Sequence, residues 1–149
     1  MIKTFRYSFT VNASLLKVAE FHKDTRALKL LSPPPMFVQL QRVEPLAEGS
    51  QAEFTMWLGP IPLHWLAVHS KVDVLHGFTD TQMSGPMKTW QHTHRFEALD
   101  EKQTQVIEFV EYEHKSGLPG ILTRLLFNPP GLRFLFAYRA WVTRKQVEK

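Results

Sequence analysis

From Met36 to His114 the chain runs as short stretches in which apolar and polar residues alternate, and each stretch ends at a Gly, Pro, Asp or His-Gly turn. A period of two sends alternate side chains to opposite faces of a strand. Short strands joined by turns of this kind imply an antiparallel meander. Val38 and Leu40, extended by Arg42, alternate with Gln39 and Gln41. Glu48-Gly49-Ser50 turns the chain into Ala52, Phe54, Met56 and Leu58, which oppose Glu53, Thr55 and Trp57. Gly59-Pro60-Ile61-Pro62 makes a rigid corner before a long strand from Leu63 to Val74. There Leu66, Val68, Val72 and Val74 form the expected buried set, with Trp65, His69 and Lys71 outside unless a bulge reverses part of it. His76-Gly77, Gly85-Pro86 and Asp100–Gln103 then separate Phe78–Ser84, Trp90–Leu99 and Thr104–His114.

The two ends of the chain complete the order of elements. Phe5, Tyr7, Phe9 and Val11 alternate as a first strand. Asn12 or Ser14 caps a helix whose stripe is Leu15, Val18, Ala19 and Phe21/His22. Asp24-Thr25 caps a second short helix through Leu31, stopped by Ser32-Pro33-Pro34-Pro35. After Ser116-Gly117-Leu118-Pro119-Gly120, Ile121–Phe127 is helical, and Asn128-Pro129-Pro130-Gly131 interrupts it. A long helix follows from Leu132 to about Glu148. One of its faces carries Leu132, Leu135/Phe136, Arg139, Val142/Thr143 and Val147, and another carries Phe134, Tyr138, Trp141 and Lys145. The fold class is therefore α+β: seven antiparallel strands, two short helices between the first and second, and a long C-terminal helix for the sheet to wrap. At 149 residues the chain is expected to be a single domain, 1–149.

Composition removes several functions. There is no cysteine, hence no disulfide framework and no thiolate chemistry. The N-terminus lacks the apolar core of a signal peptide and no run approaches eighteen apolar residues, so a cytoplasmic location without a membrane segment is expected. Residues 115–149 carry seven Lys/Arg against Glu148 alone. A basic segment of this kind attracts nucleic acid or anionic lipid, but more often it is the solvated side of a terminal helix. Lys/Arg are not interleaved with Tyr7, Phe54 and Trp57 as on a base-stacking platform, and no nucleic-acid partner is expected. Neither a phosphate loop nor a nucleophile elbow is present.

Gly85–Phe96 holds the unusual face. Trp90, His92, His94 and Phe96 share one side of a strand. Two histidines between aromatics suit the wall of a semi-polar cavity better than a plain core, because burying imidazole without partners is costly. His92-x-His94 is also a spacing that metal sites use, with His64, His69 and Glu108 as the nearest third ligands. Nothing in the sequence fixes such a ligand, so no metal and no cofactor are expected. The facing strand offers either Val106/Glu108/Val110/Tyr112 or Ile107/Phe109/Glu111 to the inside. An odd loop count at Asp100–Gln103 sets His94 across from Glu108 and Trp90 across from Tyr112, and an even count pairs His94 with Phe109. Under the odd register Arg139, on the apolar side of the last helix, is a second partner for Glu108.

Four segments carry a resemblance: Phe21-His22-Lys23-Asp24, Leu58-Gly59-Pro60-Ile61-Pro62-Leu63, Gly85-Pro86 through Phe96, and Leu135-Phe136-Ala137-Tyr138-Arg139. With the order of elements, they make the chain resemble the START-like helix-grip superfamily, SRPBCC, and within it a bacterial ligand-binding protein of the polyketide cyclase/dehydrase-like group. The resemblance covers essentially the whole chain and favours the odd register, since the family pattern has an acid, an apolar residue and a Tyr at these alternate positions. It implies a deep cavity between sheet and C-terminal helix for lipids, sterols, polyketides or other apolar small molecules, used by some members for binding and by others for cyclisation or dehydration. The ligand-contacting residues would be Trp90, His92, His94, Glu108, Tyr112, Phe136 and Arg139, with Phe21 and Met36 near the mouth. For an enzyme, the acid/base candidates are His94, Glu108 and Arg139, although a buried ion pair tying helix to sheet is the commoner role for such groups. Trp141 and Phe134, on the less buried face of the helix, are expected to meet core or the partner of a homodimer.

Overall fold

The computed structural model describes residues 1–149. Strands β1 (Lys3–Val11), β2 (Met36–Val43), β3 (Gln51–Leu58), β4 (Ile61–Asp73), β5 (Gly77–Ser84), β6 (Thr89–Ala98) and β7 (Thr104–Glu113) form one sheet in the order β1-β7-β6-β5-β4-β3-β2. Every pairing is antiparallel. Between β1 and β2 lie α1 (Leu15–Lys23) and a 3-10 turn, Thr25–Ala27, that runs into α2 (Leu28–Leu31). α3 (Leu118–Leu126) and α4 (Pro129–Val147) follow β7. Leu132, Leu135 and Phe136 of α4 pack in one cluster with Val38 from one edge strand and Phe5 from the other. Both edges reach the same helix only if the sheet curves around it, which is the helix-grip arrangement. No helix is long and apolar enough to cross a membrane.

Local chemistry sets the element ends. Ser14 Oγ accepts from the Lys17 amide and Asp24 from the Arg26 amide, so each short helix begins on a side-chain cap. The interruption read at Asn128–Gly131 is in fact the cap and first turn of α4. Asn128 Oδ1 accepts from the Gly131 amide, while its Nδ2 donates to the Arg124 and Leu125 carbonyls at the end of α3. One side chain thus serves two helix ends, and proline at the start of α4 loses no hydrogen bond there.

Three strand assignments change. In β4 it is Trp65, Ala67 and His69 that are buried, while Leu66 and Val68 are only half-buried and Val74 is exposed. The inner face of β3 is unambiguous, and its pairings Ala52↔Ala67, Phe54↔Trp65 and Met56↔Leu63 fix that of β4. Trp65 then stacks on Phe54 at 5.9 Å and meets Trp90 edge-on at 5.6 Å. Lys71, at φ 51, lies in an irregularity between Ser70 and Asp73, beyond which Val72 returns to the core. A second bulge at Gln41 keeps Leu40 inside and turns Arg42 outward. Gly59-Pro60 is a tight two-residue turn, so Ile61 and Pro62 already belong to β4.

The β6–β7 hairpin closes with Ala98↔Thr104, leaving the odd count of five residues between. His94 is therefore across from Glu108 and Trp90 across from Tyr112. Along β6, Trp90 belongs to the cluster around Phe136 and Phe96 to a second cluster around Val11 and Val106. His92 and His94 lie between these two cores.

Candidate functional site

A cavity of about 110 Å³ lies between the sheet and α4, and thirteen of its twenty-two lining residues are hydrophobic. Phe54, Met56, Trp65, Trp90, Phe127 and Leu135 supply the apolar walls, and Leu28 and Met36, both half-buried, lie toward solvent. The polar members include Asp24, Thr25 and Ser32, and six titratable groups converge from five elements: His22 of α1, His69 of β4, Asp80 of β5, His92 and His94 of β6, and Arg139 of α4. Strand pairing explains the convergence, because His69 is across from Asp80, and Asp80 across from His92.

Asp80, His92, His94 and Glu108 form a tetrad of two hydrogen-bonded pairs in close charge contact, and His94 Nδ1 is buried without a hydrogen bond. His92 Nε2 donates to Glu108 at 2.6 Å, and His94 Nε2 donates to Asp80 at 2.8 Å. His94 Nδ1 lies 3.0 Å from Glu108, and His92 Nδ1 3.9 Å from Asp80. The two imidazole rings are 3.9 Å apart between centroids. Burial pushes the His94 imidazolium down, but Glu108 and Asp80 outweigh it and raise its pKa to about 9. Burial also opposes both carboxylates, yet the imidazoles hold Glu108 well below, and Asp80 below, the ordinary carboxylate range. His92 is lowered by burial and by the His94 charge, so it is neutral. With its Nε2 proton given to an ionised carboxylate, its Nδ1 carries a lone pair.

The other polar groups differ in kind. Burial lowers His22 to about 4. Its Nδ1 faces the Val18 carbonyl at 2.9 Å, and a carbonyl only accepts, so the proton sits on Nδ1 and Nε2 is a free acceptor. His69 is also lowered by burial, with Nδ1 2.9 Å from Ser50 Oγ. Arg139 has no carboxylate within salt-bridge distance, its Nε is buried without a hydrogen-bond partner, and its guanidinium lies 5.3 Å from the Phe136 ring. The expected Arg139–Glu108 pair is thus not formed, because the two imidazoles occupy Glu108. Two carboxylates, one imidazolium and one guanidinium leave the group close to neutral.

Of the residues expected at the ligand, Trp90, His92, His94, Arg139 and Met36 line the cavity. Glu108 sits behind the histidines rather than on the wall, and its short bond is to His92, the diagonal neighbour, not to His94. Tyr112 and Phe136 are 2% and 0% exposed and belong to the core beneath. Phe21 packs edge-on against His22 at 5.1 Å without reaching the cavity. His64, considered as a metal ligand, is on the outside with Glu53. The sequence reading did not place His22 or Asp80 at the site, and it considered His69 only as a metal ligand, on a face expected to be outside. Asp80 carried a usable signal, since Asp is depleted in strands and this one shares the inward phase of Phe78.

No protein-family model matches the sequence, and no curated protein does. Solved structures do match. The Zhui aromatase/cyclase from Streptomyces sp. R1128 superposes with a TM-score of 0.72 at 13% identity, over 97% of this chain and 96% of that one. Norcoclaurine synthase from Thalictrum flavum, in complex with dopamine and hydroxybenzaldehyde, gives 0.70 at 18% identity over 97% and 86%. A START superfamily protein from Mycobacterium smegmatis gives 0.71 at 13% over 97% of both. Likeness over nearly the full length of each chain, with sheet order and helix placement as described, shows that this protein has the helix-grip fold of these structures.

Proposed function

We propose that the chain binds a small apolar molecule, of aromatic, polyketide or lipid type, in the cavity between the sheet and α4. The observation that carries this reading is the lining, mostly hydrophobic with a minority of polar groups brought in from the sheet, α1 and α4. Small-molecule sites have that make-up. The volume of about 110 Å³ lies below the ~300–1,000 Å³ of drug-sized pockets and near the ~150 Å³ that accepts benzene. A single ring therefore fits best, and a larger ligand requires the rim at Leu28 and Met36 to part. Dopamine and hydroxybenzaldehyde in norcoclaurine synthase are single-ring compounds, in keeping with that size.

A second reading, an aromatase/cyclase- or dehydratase-like enzyme, is favoured by the tetrad itself. His94 holds a proton between two carboxylates, and Arg139, which lines the same cavity from α4, is a cation without a hydrogen-bond partner. From the sheet and from α4 respectively, such groups move protons to or from a bound carbonyl compound and steady the resulting oxyanion.

Native mass spectrometry of protein purified from its own host tests the binding reading, together with single-ring aldehydes titrated against Trp65 and Trp90 fluorescence. Absence of any co-purifying molecule and of any fluorescence change would sink it. His94→Gln then separates the readings: a binder loses modest affinity, whereas an acid/base catalyst loses orders of magnitude in rate.

A further inference from the structure

We propose that Asp80, His92 and His94 form a site for one divalent first-row transition-metal ion, of the Zn²⁺ or Fe²⁺ class, with Glu108 as the carboxylate that orients both imidazoles. This goes beyond the cavity reading and stands without it, because the ion would be held by side chains alone. The three residues occupy adjacent paired strands: His92 and His94 share one face of β6, and Asp80 is the direct partner of His92 on β5. One donor atom from each lies within 4.8 Å of the others. Around an ion bonded at ~2.0–2.2 Å, neighbouring donors lie roughly 3–3.5 Å apart. The observed separations of Asp80 Oδ2 from His94 Nε2, 2.8 Å, and from His92 Nδ1, 3.9 Å, bracket that range. Small side-chain rotations suffice to even them out.

Glu108 makes this more than a cluster of donors. Histidines that bind metals characteristically give their second ring nitrogen to a carboxylate or carbonyl. Here a single oxygen, Glu108 Oε2, lies 2.6 Å from His92 Nε2 and 3.0 Å from His94 Nδ1. The far nitrogen of His92 is backed by a hydrogen bond and that of His94 stands beside the same oxygen, needing a small rotation to bond it, while both near nitrogens are left on the Asp80 side. His92 needs no change, since its near nitrogen already carries a lone pair. The ion would displace one proton, from His94 Nε2, to solvent.

Charge and chemistry select the class of ion. Two imidazoles and one carboxylate suit Zn²⁺, Fe²⁺, Co²⁺ or Ni²⁺, whereas Mg²⁺ and Ca²⁺ require mainly oxygen donors. With Asp80 and Glu108 ionised, a divalent ion plus the Arg139 cation leaves one positive charge, so an anionic group completes the site. All three ligand residues line the cavity, so that coordination position opens toward it.

The test uses untagged, chelator-treated full-length chain, titrated with Zn²⁺ by calorimetry and with Co²⁺ by visible absorption. One ion per chain at micromolar affinity or tighter is expected, with Co²⁺ bands of low-symmetry nitrogen/oxygen coordination. Asp80→Asn and His94→Gln should each weaken binding by about 100-fold or more, and Glu108→Gln by about 10–100-fold, with unchanged far-ultraviolet circular dichroism. Replacing the exposed His64 and His76 by Ala should change nothing. A folded wild-type chain without stoichiometric Co²⁺ absorption overturns the proposal, even if every variant misfolds. So does binding that persists undiminished in Asp80→Asn.

Discussion

Replacing His22 by Gln should remove about one proton from the acid limb of the stability curve. The His22 ring is 8% exposed, packed 4.8 Å from Phe96 and 5.1 Å from Phe21, with Nδ1 held by the Val18 carbonyl. Burial lowers its pKa from 6.5 to about 4. In the unfolded chain the ring takes up its proton near 6.5, whereas the native ring takes it up only near 4. Between those values the unfolded state binds more protons, so stability falls as pH falls through the window. At about 1.4 kcal/mol per pKa unit, the loss from this one ring between pH 6.5 and 4 comes to about 3 kcal/mol. Gln keeps a donor for the Val18 carbonyl and does not titrate, so His22→Gln should be less stable at pH 7 yet lose about 3 kcal/mol less on going to pH 4. Urea unfolding at half-unit pH steps, in chelator, measures both curves. His69 and His92 titrate in the same direction and remain in both proteins, so the difference between the curves isolates His22. If both proteins lose the same stability between pH 6.5 and 4, His22 is not a buried neutral imidazole and its assignment as an acceptor is wrong.

Three further changes probe the frame around the site. Glu108→Ala leaves the His94 cation with Asp80 alone and the His92 N–H without an acceptor, and should cost about 3–5 kcal/mol in denaturant unfolding; a cost near zero would mean the tetrad is not in close charge contact. Gly77 has φ 127, and a Cβ there would clash with the His94 backbone carbonyl. Gly77→Ala should therefore destabilise by about 3 kcal/mol or prevent folding, and a variant melting like wild type would refute the close pairing of the start of β5 with β6. Phe134 and Trp141 are 62% and 52% exposed on the outer face of α4. If they form the contact of a homodimer, sedimentation should show dimer for the wild type and monomer for Trp141→Glu, whereas a monomeric wild type refutes that contact.

The fold was legible because its signals are local. Turn residues punctuate the strands, Ser14 and Asp24 start the first helices, and the count of residues between Ala98 and Thr104 decides the register of the last hairpin. What was not legible depends on bulges and diagonals. The irregularity at Lys71 and the pairing of Phe54 with Trp65 put His69 inside, against a hydrophobic pattern that favoured Leu66 and Val68. Branched aliphatics on a half-buried outer face read the same as a core face when the neighbouring strand is unknown. The site was half visible for a similar reason. His92 and His94 stand out on one strand, but Asp80 matters only through its pairing with His92 across β5 and β6. Side-chain geometry also overrides register, since Glu108 sits opposite His94 yet bonds most closely to His92. No sequence period encodes that diagonal.

Energetics argue that the tetrad is retained for what it does rather than for stability. Its members are nearly removed from water, with side-chain exposures of 3% for His92, 5% for Glu108, 10% for His94 and 21% for Asp80. Apolar side chains of similar volume at such positions are commonly neutral or stabilising by about 1–4 kcal/mol relative to buried ions, because no desolvation is then opposed. The surroundings already favour that solution: Trp90 and Phe96 flank the histidines on β6, and Phe78 packs on His94 at 4.4 Å. A continuous aromatic stripe along β6 would merge the two cores and fill the gap between them. The chain instead interrupts that stripe with two imidazoles, backs both with one carboxylate, and faces them with a second. It does so where a cavity reaches the same wall and where Arg139 has no hydrogen-bond partner. The proposed ligand and ion would give each group in that arrangement a purpose that stability alone does not supply.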